Sequence, residues 1–230
     1  MAKTPGKKQR KKKRTAEPAS YFIGTEGTKT EVIYFQAIAG YLIQEFSGYE
    51  GRIEVPTMTV EGIGASNFRL IQDVEDYLRS DPRLFEHVWV VFDKDDIPLD
   101  YFDNSIQQAE SKGYRVAWTN DSFELWYLLH FEYLQSGITR EQYTEKLTAH
   151  LRQNGLPKYE KNNIVEMFDI LLSKKETAIR NANKLEKGFG SEPPSKRNPC
   201  TAVHHLVKEL FAVEQKVKTM KTIENYSTFK

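Results

Sequence analysis

The apolar run His87-Val88-Trp89-Val90-Val91-Phe92 breaks directly into Asp93-Lys94-Asp95-Asp96, three carboxylates within four residues. Asp93 and Asp95 are two apart, so in an extended chain their side chains leave the same face. Crowded carboxylates raise one another's pKa unless a cation joins them, and a hard, oxygen-binding ion such as Mg²⁺ or Mn²⁺ suits such a set. The alternative for this stretch alone is a solvated strand exit that caps the next helix. Two more acids stand in comparable settings, Glu26 in Thr25-Glu26-Gly27-Thr28 and Glu124 in Ser122-Phe123-Glu124-Leu125.

The elements that must position these acids follow from the hydrophobic pattern. A short run rich in Val and aromatic residues reads as a strand buried on both faces, as in a parallel sheet under helices. Comparable strands are expected near residues 20–24, 52–60 and 114–118, with Pro56 marking an edge position or a bulge in the second. Helices are expected to Phe46, from Ser66 through Leu78, and from Tyr101 to Ser111. This alternation implies right-handed βαβ units and an α/β fold with a parallel sheet of about four strands. No further strand is expected after Thr119; helices are expected near 122–135, 139–153, 162–187 and 200–216, with a break over Gly188–Pro199.

Glu26, Asp93 to Asp96 and Glu124 then all fall at the C-terminal ends of parallel strands, where open α/β sheets bind ligands. Glu26 alone reads equally as a helix-capping carboxylate; beside Asp93 and Asp95 it reads as a metal ligand. Glu31, further along the first helix, faces the same site or is a solvated helix residue. The residues alone therefore point to a divalent-metal cluster of Asp93, Asp95 and Glu26.

The second half offers further candidates. Trp126 and His130 share a helix face; each is a core residue or a site residue. Lys158, Tyr159 and Lys161 place cations and a ring near a possible groove that could hold phosphates and stack bases, or form a solvated face. His204, His205 and Thr201 could reach the site from the last helix.

The 230 residues are 39% hydrophobic and 28% charged, enough for a packed core and ordinary for a soluble chain. No apolar run is long enough to span a membrane and no N-terminal apolar signal core is present, so no membrane partner is expected. The single Cys200 excludes an internal disulfide framework and fits a reducing cytoplasm. Eight of the first 14 residues are basic and none is acidic; without them 25 Lys and Arg face 32 Asp and Glu. A basic arm on an acidic body suits polyanion binding, although a solubilising tail has the same composition.

The blocks Thr25-Glu26-Gly27-Thr28-Lys29-Thr30-Glu31-Val32-Ile33-Tyr34-Phe35, Val91-Phe92-Asp93-Lys94-Asp95 and Ser122-Phe123-Glu124-Leu125-Trp126 resemble the signature of RloB-like proteins. Asn198-Pro199-Cys200-Thr201-Ala202-Val203-His204 resembles that family's C-terminal block. The likeness covers most of residues 20–215. It is similar in turn to the Toprim domains of overcoming-lysogenization-defect nucleases, and it implies a Toprim-like Rossmannoid sheet in which Glu26, Asp93 and Asp95 hold a divalent metal. The spacing of Glu26 and Glu31 departs from that common among those nucleases. The resemblance also implies a role in phage defence, often beside an ABC-type ATPase partner. The domain reading is a disordered basic tail over 1–18, a Toprim-like α/β domain over 19–135 and a helical extension over 136–230. With that resemblance the functional expectation is a cytoplasmic, divalent-metal-dependent nuclease acting on nucleic acid, RNA or DNA. An ion at Asp93, Asp95 and Glu26 would activate the attacking water, and a second ion through Glu124 or Glu31 would steady the leaving oxygen. The alternative is a catalytically silent module that binds nucleic acid or an ATPase; no Walker-type glycine-rich loop points to ATP hydrolysis by the chain itself.

Overall fold

The computed structural model describes residues 15–49 and 51–227. The basic arm, Lys3 to Arg14, lies outside the described residues.

The chain begins β1 (Glu17–Thr25), α1 (Thr30–Phe46), β2 (Thr57–Gly62), α2 (Asn67–Ser80), β3 (Phe85–Asp93), α3 (Leu99–Ser111) and β4 (Arg115–Asn120). These four strands are parallel, and with a fifth from late in the chain, β5 (Cys200–Thr201), the sheet order is β2-β1-β3-β4-β5. Val90, Val91 and Phe92 are consecutive in β3 and wholly buried, so both faces of the strand are covered. Burying each such side chain is worth about 1.5–3 kcal/mol. β2 lies at the edge of the sheet, and Pro56 immediately precedes it, where its missing N–H costs no ladder bond.

β1 is followed in sequence by β2 on one side and, in space, by β3 on the other. The winding therefore reverses between β1 and β3. Helix α1 packs with α6 (Ile164–Ser173), whereas α2 packs with α3. Right-handed crossovers in opposite directions put these two sets on opposite faces. A ligand crevice opens beyond the strand ends at such a reversal. Glu26 and Asp93 stand there.

The second half departs from the expected uninterrupted helices. Thr119 is not followed by helices alone: β5 (Cys200–Thr201) returns to the sheet and pairs antiparallel with Asn120 and Thr119. The hydroxyls of Thr119 and Thr201 meet at 3.0 Å in the core. Helix α4 (Glu124–Leu128) is only five residues long and dissolves into turns before Leu134. Helix α5 (Arg140–Gln153) starts at a full capping box between Thr139 and Gln142. The expected long helix over 162–187 breaks at Lys174 into α6 and α7 (Lys175–Phe189), and the last one is split into α8 (Val203–Leu210) and α9 (Ala212–Ser227). The loop before β5 is fastened to α3, where Asp103 accepts from the backbone N–H and hydroxyl of Ser195.

Candidate functional site

Four segments assemble an acidic pocket of about 200 Å³ at the β1–β3 reversal. The turn after β1 and the start of α1 bring Gly27, Thr28, Lys29, Thr30 and Glu31; β3 brings Asp93; the residues after β4 bring Phe123 and Glu124, with Lys161 opposite. The turn is pinned by the Thr25 hydroxyl, which donates to the Gly27 carbonyl at 2.6 Å. The backbone N–H of Glu26 donates to Val91, extending the β1–β3 ladder to the rim of the pocket.

Asp93 is the centre of the arrangement. Its Oδ2 accepts the Phe123 backbone N–H at 3.0 Å, while its Oδ1 is buried with no hydrogen-bond partner. Burial, then the nearby charges of Glu31 and Glu124, push its carboxyl well above the ordinary range. Glu31 is buried in the first turn of α1 and is also shifted upward, by burial first and then by Glu124. Glu124 is buried at the start of α4, where Oε1 accepts the Tyr159 hydroxyl at 3.1 Å and stands 4.0 Å from the Lys161 ammonium. Glu26 accepts a long 3.4 Å bond from the Asp93 N–H, and burial followed by the charges of Glu31 and Asp95 pushes it up to about 7.

Asp95 takes a different course from the one its spacing suggested. β3 ends at Asp93, Lys94 gives its N–H to Thr119, and Asp95 adopts a left-handed backbone with φ of 46°. The same-face argument needs an extended chain, and the extension stops one residue too early. The Asp95 carboxylate is ion-paired with Arg140 and lines a neighbouring depression with Lys94, Asp96 and Asp121. Its charge still reaches Glu26.

The remaining candidates divide clearly. Lys161 lines the acidic pocket, but Lys158 pairs with Glu160 at 3.0 Å and borders a separate depression. His130 is buried in the core, its Nδ1 donating to the Trp126 carbonyl at 2.9 Å, and burial lowers its pKa to about 4. It is not among the pocket's lining residues. His204 and His205 face Glu186 on α7 instead of the acids. Tyr159, expected to offer a ring for stacking, is buried and serves Glu124 through its hydroxyl. Arg140 carried no signal in the sequence beyond its place after the capping Thr139.

The donor set suits a hard divalent cation in kind: Glu26, Glu31, Asp93 and Glu124 offer only oxygen atoms, and one buried oxygen of Asp93 has no hydrogen-bond partner. In this arrangement, however, Glu26 is not among the pocket's lining residues, and among the described residues no three of these acids bring ligand atoms within 4.8 Å of one another. The pocket volume also leaves room for several waters, at about 30 Å³ each. Burial and neighbouring negative charge push the pKa values of Asp93, Glu31 and Glu26 upward, and Lys161 offers positive charge only from the limit of ion-pair range to Glu124.

No curated protein and no solved structure matches this chain. Among the described residues no helix is long and apolar enough to cross a membrane. A family model described as RloB-like protein matches residues 21–210, a span that holds the whole sheet end, Glu26, Glu31, Asp93, Glu124 and the returning strand β5; the chain belongs to the RloB-like family.

Proposed function

We propose that the protein is a divalent-metal-dependent nuclease of the Toprim type, hydrolysing phosphodiester bonds of RNA or DNA. The observation that carries this reading is the half-satisfied Asp93 carboxylate, buried beside Glu31 and Glu124 at the reversal of a parallel sheet. Asp93, Glu31 and Glu124 would hold the ion, with Glu26 at the margin. When bound, Mg²⁺ or Mn²⁺ supplies Lewis acidity toward a phosphoryl oxygen and lowers the pKa of water.

The chain's own groups provide the rest. The Phe123 N–H fixes one Asp93 oxygen and leaves the other, buried, without a partner. Tyr159 holds the Glu124 carboxylate in one rotamer. Lys161, exposed at the mouth, is placed to meet a phosphate oxygen. Glu26, with a pKa near neutrality, is suited to accept or return a proton at working pH. An effector role in phage defence and an ABC-type ATPase partner belong to the same proposal and are supported by membership of the RloB-like family.

A catalytically silent partner module is the second reading. The Asp95–Arg140 ion pair favours it, because it withdraws one carboxylate from the expected set. Incubation with total tRNA, plasmid and single-stranded DNA, with Mg²⁺ or Mn²⁺ and an Asp93→Ala control, separates the two. Metal-dependent cleavage lost in the variant supports the nuclease; no cleavage of any of the three under either ion supports the silent module.

A further inference from the structure

Away from the acidic pocket, α7 and the start of α8 bring together Glu186, His204 and His205. One ligand atom from each lies within 4.8 Å of the other two. The wiring of His204 is informative. A carbonyl can only accept, so the 3.0 Å contact between His204 Nδ1 and the Thr201 carbonyl fixes the proton on Nδ1. In the neutral ring Nε2 then carries a lone pair. His204 is wholly buried, and Nε2 has no hydrogen-bond partner.

That lone pair points toward another electron-pair donor. Glu186 Oε2 stands 3.3 Å from His204 Nε2, and the His205 Nε2 lies 3.0 and 3.1 Å from the two Glu186 oxygens. For ligands bound at about 2.0–2.1 Å in a tetrahedron, neighbouring donor atoms are roughly 3.3 Å apart. The Nδ1–H to backbone carbonyl bond is the outer contact that orients metal-bound imidazoles and fixes their tautomer. His205 is partly exposed, which leaves a fourth position on the solvent side for water.

We propose that Glu186, His204 and His205 form a second cation site, chemically distinct from the acidic pocket, that takes a borderline transition-metal ion such as Zn²⁺. Two imidazole nitrogens and one carboxylate select this class over Mg²⁺, which prefers an all-oxygen shell. The site joins α7 to the β5–α8 segment. Because Thr201 both pairs with β4 and accepts from His204, an ion here would fasten the added strand β5 to the sheet.

The test uses the full-length protein after chelator treatment, titrated with Co²⁺ alone and then with Zn²⁺ in millimolar Mg²⁺. The expected result is one Co²⁺ per chain that gives the intense visible bands of a four-coordinate site, displaced by Zn²⁺ and untouched by Mg²⁺, beside any weakly absorbing Co²⁺ taken up by the all-oxygen pocket. His205→Ala and Glu186→Gln should each weaken binding at least tenfold while keeping the wild-type circular dichroism spectrum. Both lie at the surface side of the cluster, so they avoid disturbing the buried His204. Asp93→Asn should leave the bands intact, which separates this site from the acidic pocket. Absence of such bands, their survival in both His205→Ala and Glu186→Gln, or their loss in Asp93→Asn would each overturn the proposal.

Discussion

The Tyr159 hydroxyl donates to Oε1 of Glu124 at 3.1 Å, both residues buried, across 35 positions of sequence. This contact ties the segment between α5 and α6 to the floor of the acidic pocket. A hydrogen bond to a buried charged acceptor is worth about 1.5–3 kcal/mol, more than a neutral one.

A double-mutant cycle built from Tyr159→Phe and Glu124→Ala, which removes donor and acceptor in turn, tests the contact directly. The expected coupling is about 1–2 kcal/mol in urea unfolding, with Tyr159→Phe alone destabilising by roughly the same amount. If the two substitutions are additive, Tyr159 packs beside Glu124 without holding it. Under the proposed function, Tyr159→Phe should also lower kcat more than it raises KM, since it acts by positioning Glu124.

Asp93→Asn addresses the centre of the pocket. The native carboxyl is buried against Glu31 and Glu124 and held well above the ordinary carboxylate range. Removing its charge relieves that repulsion, so the metal-free variant should match or exceed wild-type stability at pH 8, by about 1 kcal/mol or roughly 2–4 °C for a chain of this size. It should also lose the stabilisation that added Mg²⁺ or Mn²⁺ gives the wild type. A variant that melts well below wild type without metal would show Asp93 to be a structural acceptor for the Phe123 N–H and little else.

Glu26 supplies the pH dependence. Its folded pKa is raised to about 7 from 4.5, by burial and then by Glu31 and Asp95, with Arg140 opposing. The folded state therefore binds its proton more tightly than the unfolded state. The stability this group contributes is present below its ordinary pKa and is lost as pH rises toward about 7. Glu26→Gln removes that dependence, so the variant should gain in Tm relative to wild type as pH climbs from about 4.5 to about 7. Comparing the two proteins cancels the opposite trend expected from His130, whose pKa is lowered to about 4. A Tm difference that stays flat across this interval would mean that Glu26 titrates as an ordinary exposed carboxylate.

The sheet and the acids at its end were legible because their signals are local. An apolar run ending in acids reads as a buried strand leading to a ligand crevice, and β3 ends at Asp93. The turn that takes Asp95 away was not legible, since a left-handed aspartate is a choice made by the Lys94–Thr119 and Asp95–Asp121 backbone bonds. A two-residue strand such as β5 leaves no periodicity to find. Neither the Tyr159–Glu124 bond nor the meeting of Glu186 with His204 has a spacing rule, because each joins separate elements through the tertiary fold. His130 illustrates the converse: helical spacing put it on a face with Trp126, and that face is core.

Gly27 offers a way to move one pocket acid without altering any. A Cβ built on Gly27 would lie 2.7 Å from Cδ of Glu31 and closer still to its Oε2, inside any allowed contact. The atoms in the way are the far end of a flexible side chain, and Gly27 does not hold the positive φ that Gly51 or Gly64 does. Gly27→Ala should therefore fold, with a stability change within about 1 kcal/mol. The Glu31 carboxylate, however, must swing out of its place beside Asp93 and Glu124. If Glu31 helps to hold the ion, Gly27→Ala should weaken Mg²⁺ or Mn²⁺ binding by about tenfold, as Glu31→Gln does. Combining the two should cost little beyond either alone, because both remove the same ligand. Isothermal titration of the two single variants and the double decides it. Unchanged affinity in Gly27→Ala would place Glu31 outside the coordinating set and leave Asp93, Glu124 and Glu26 to hold the ion.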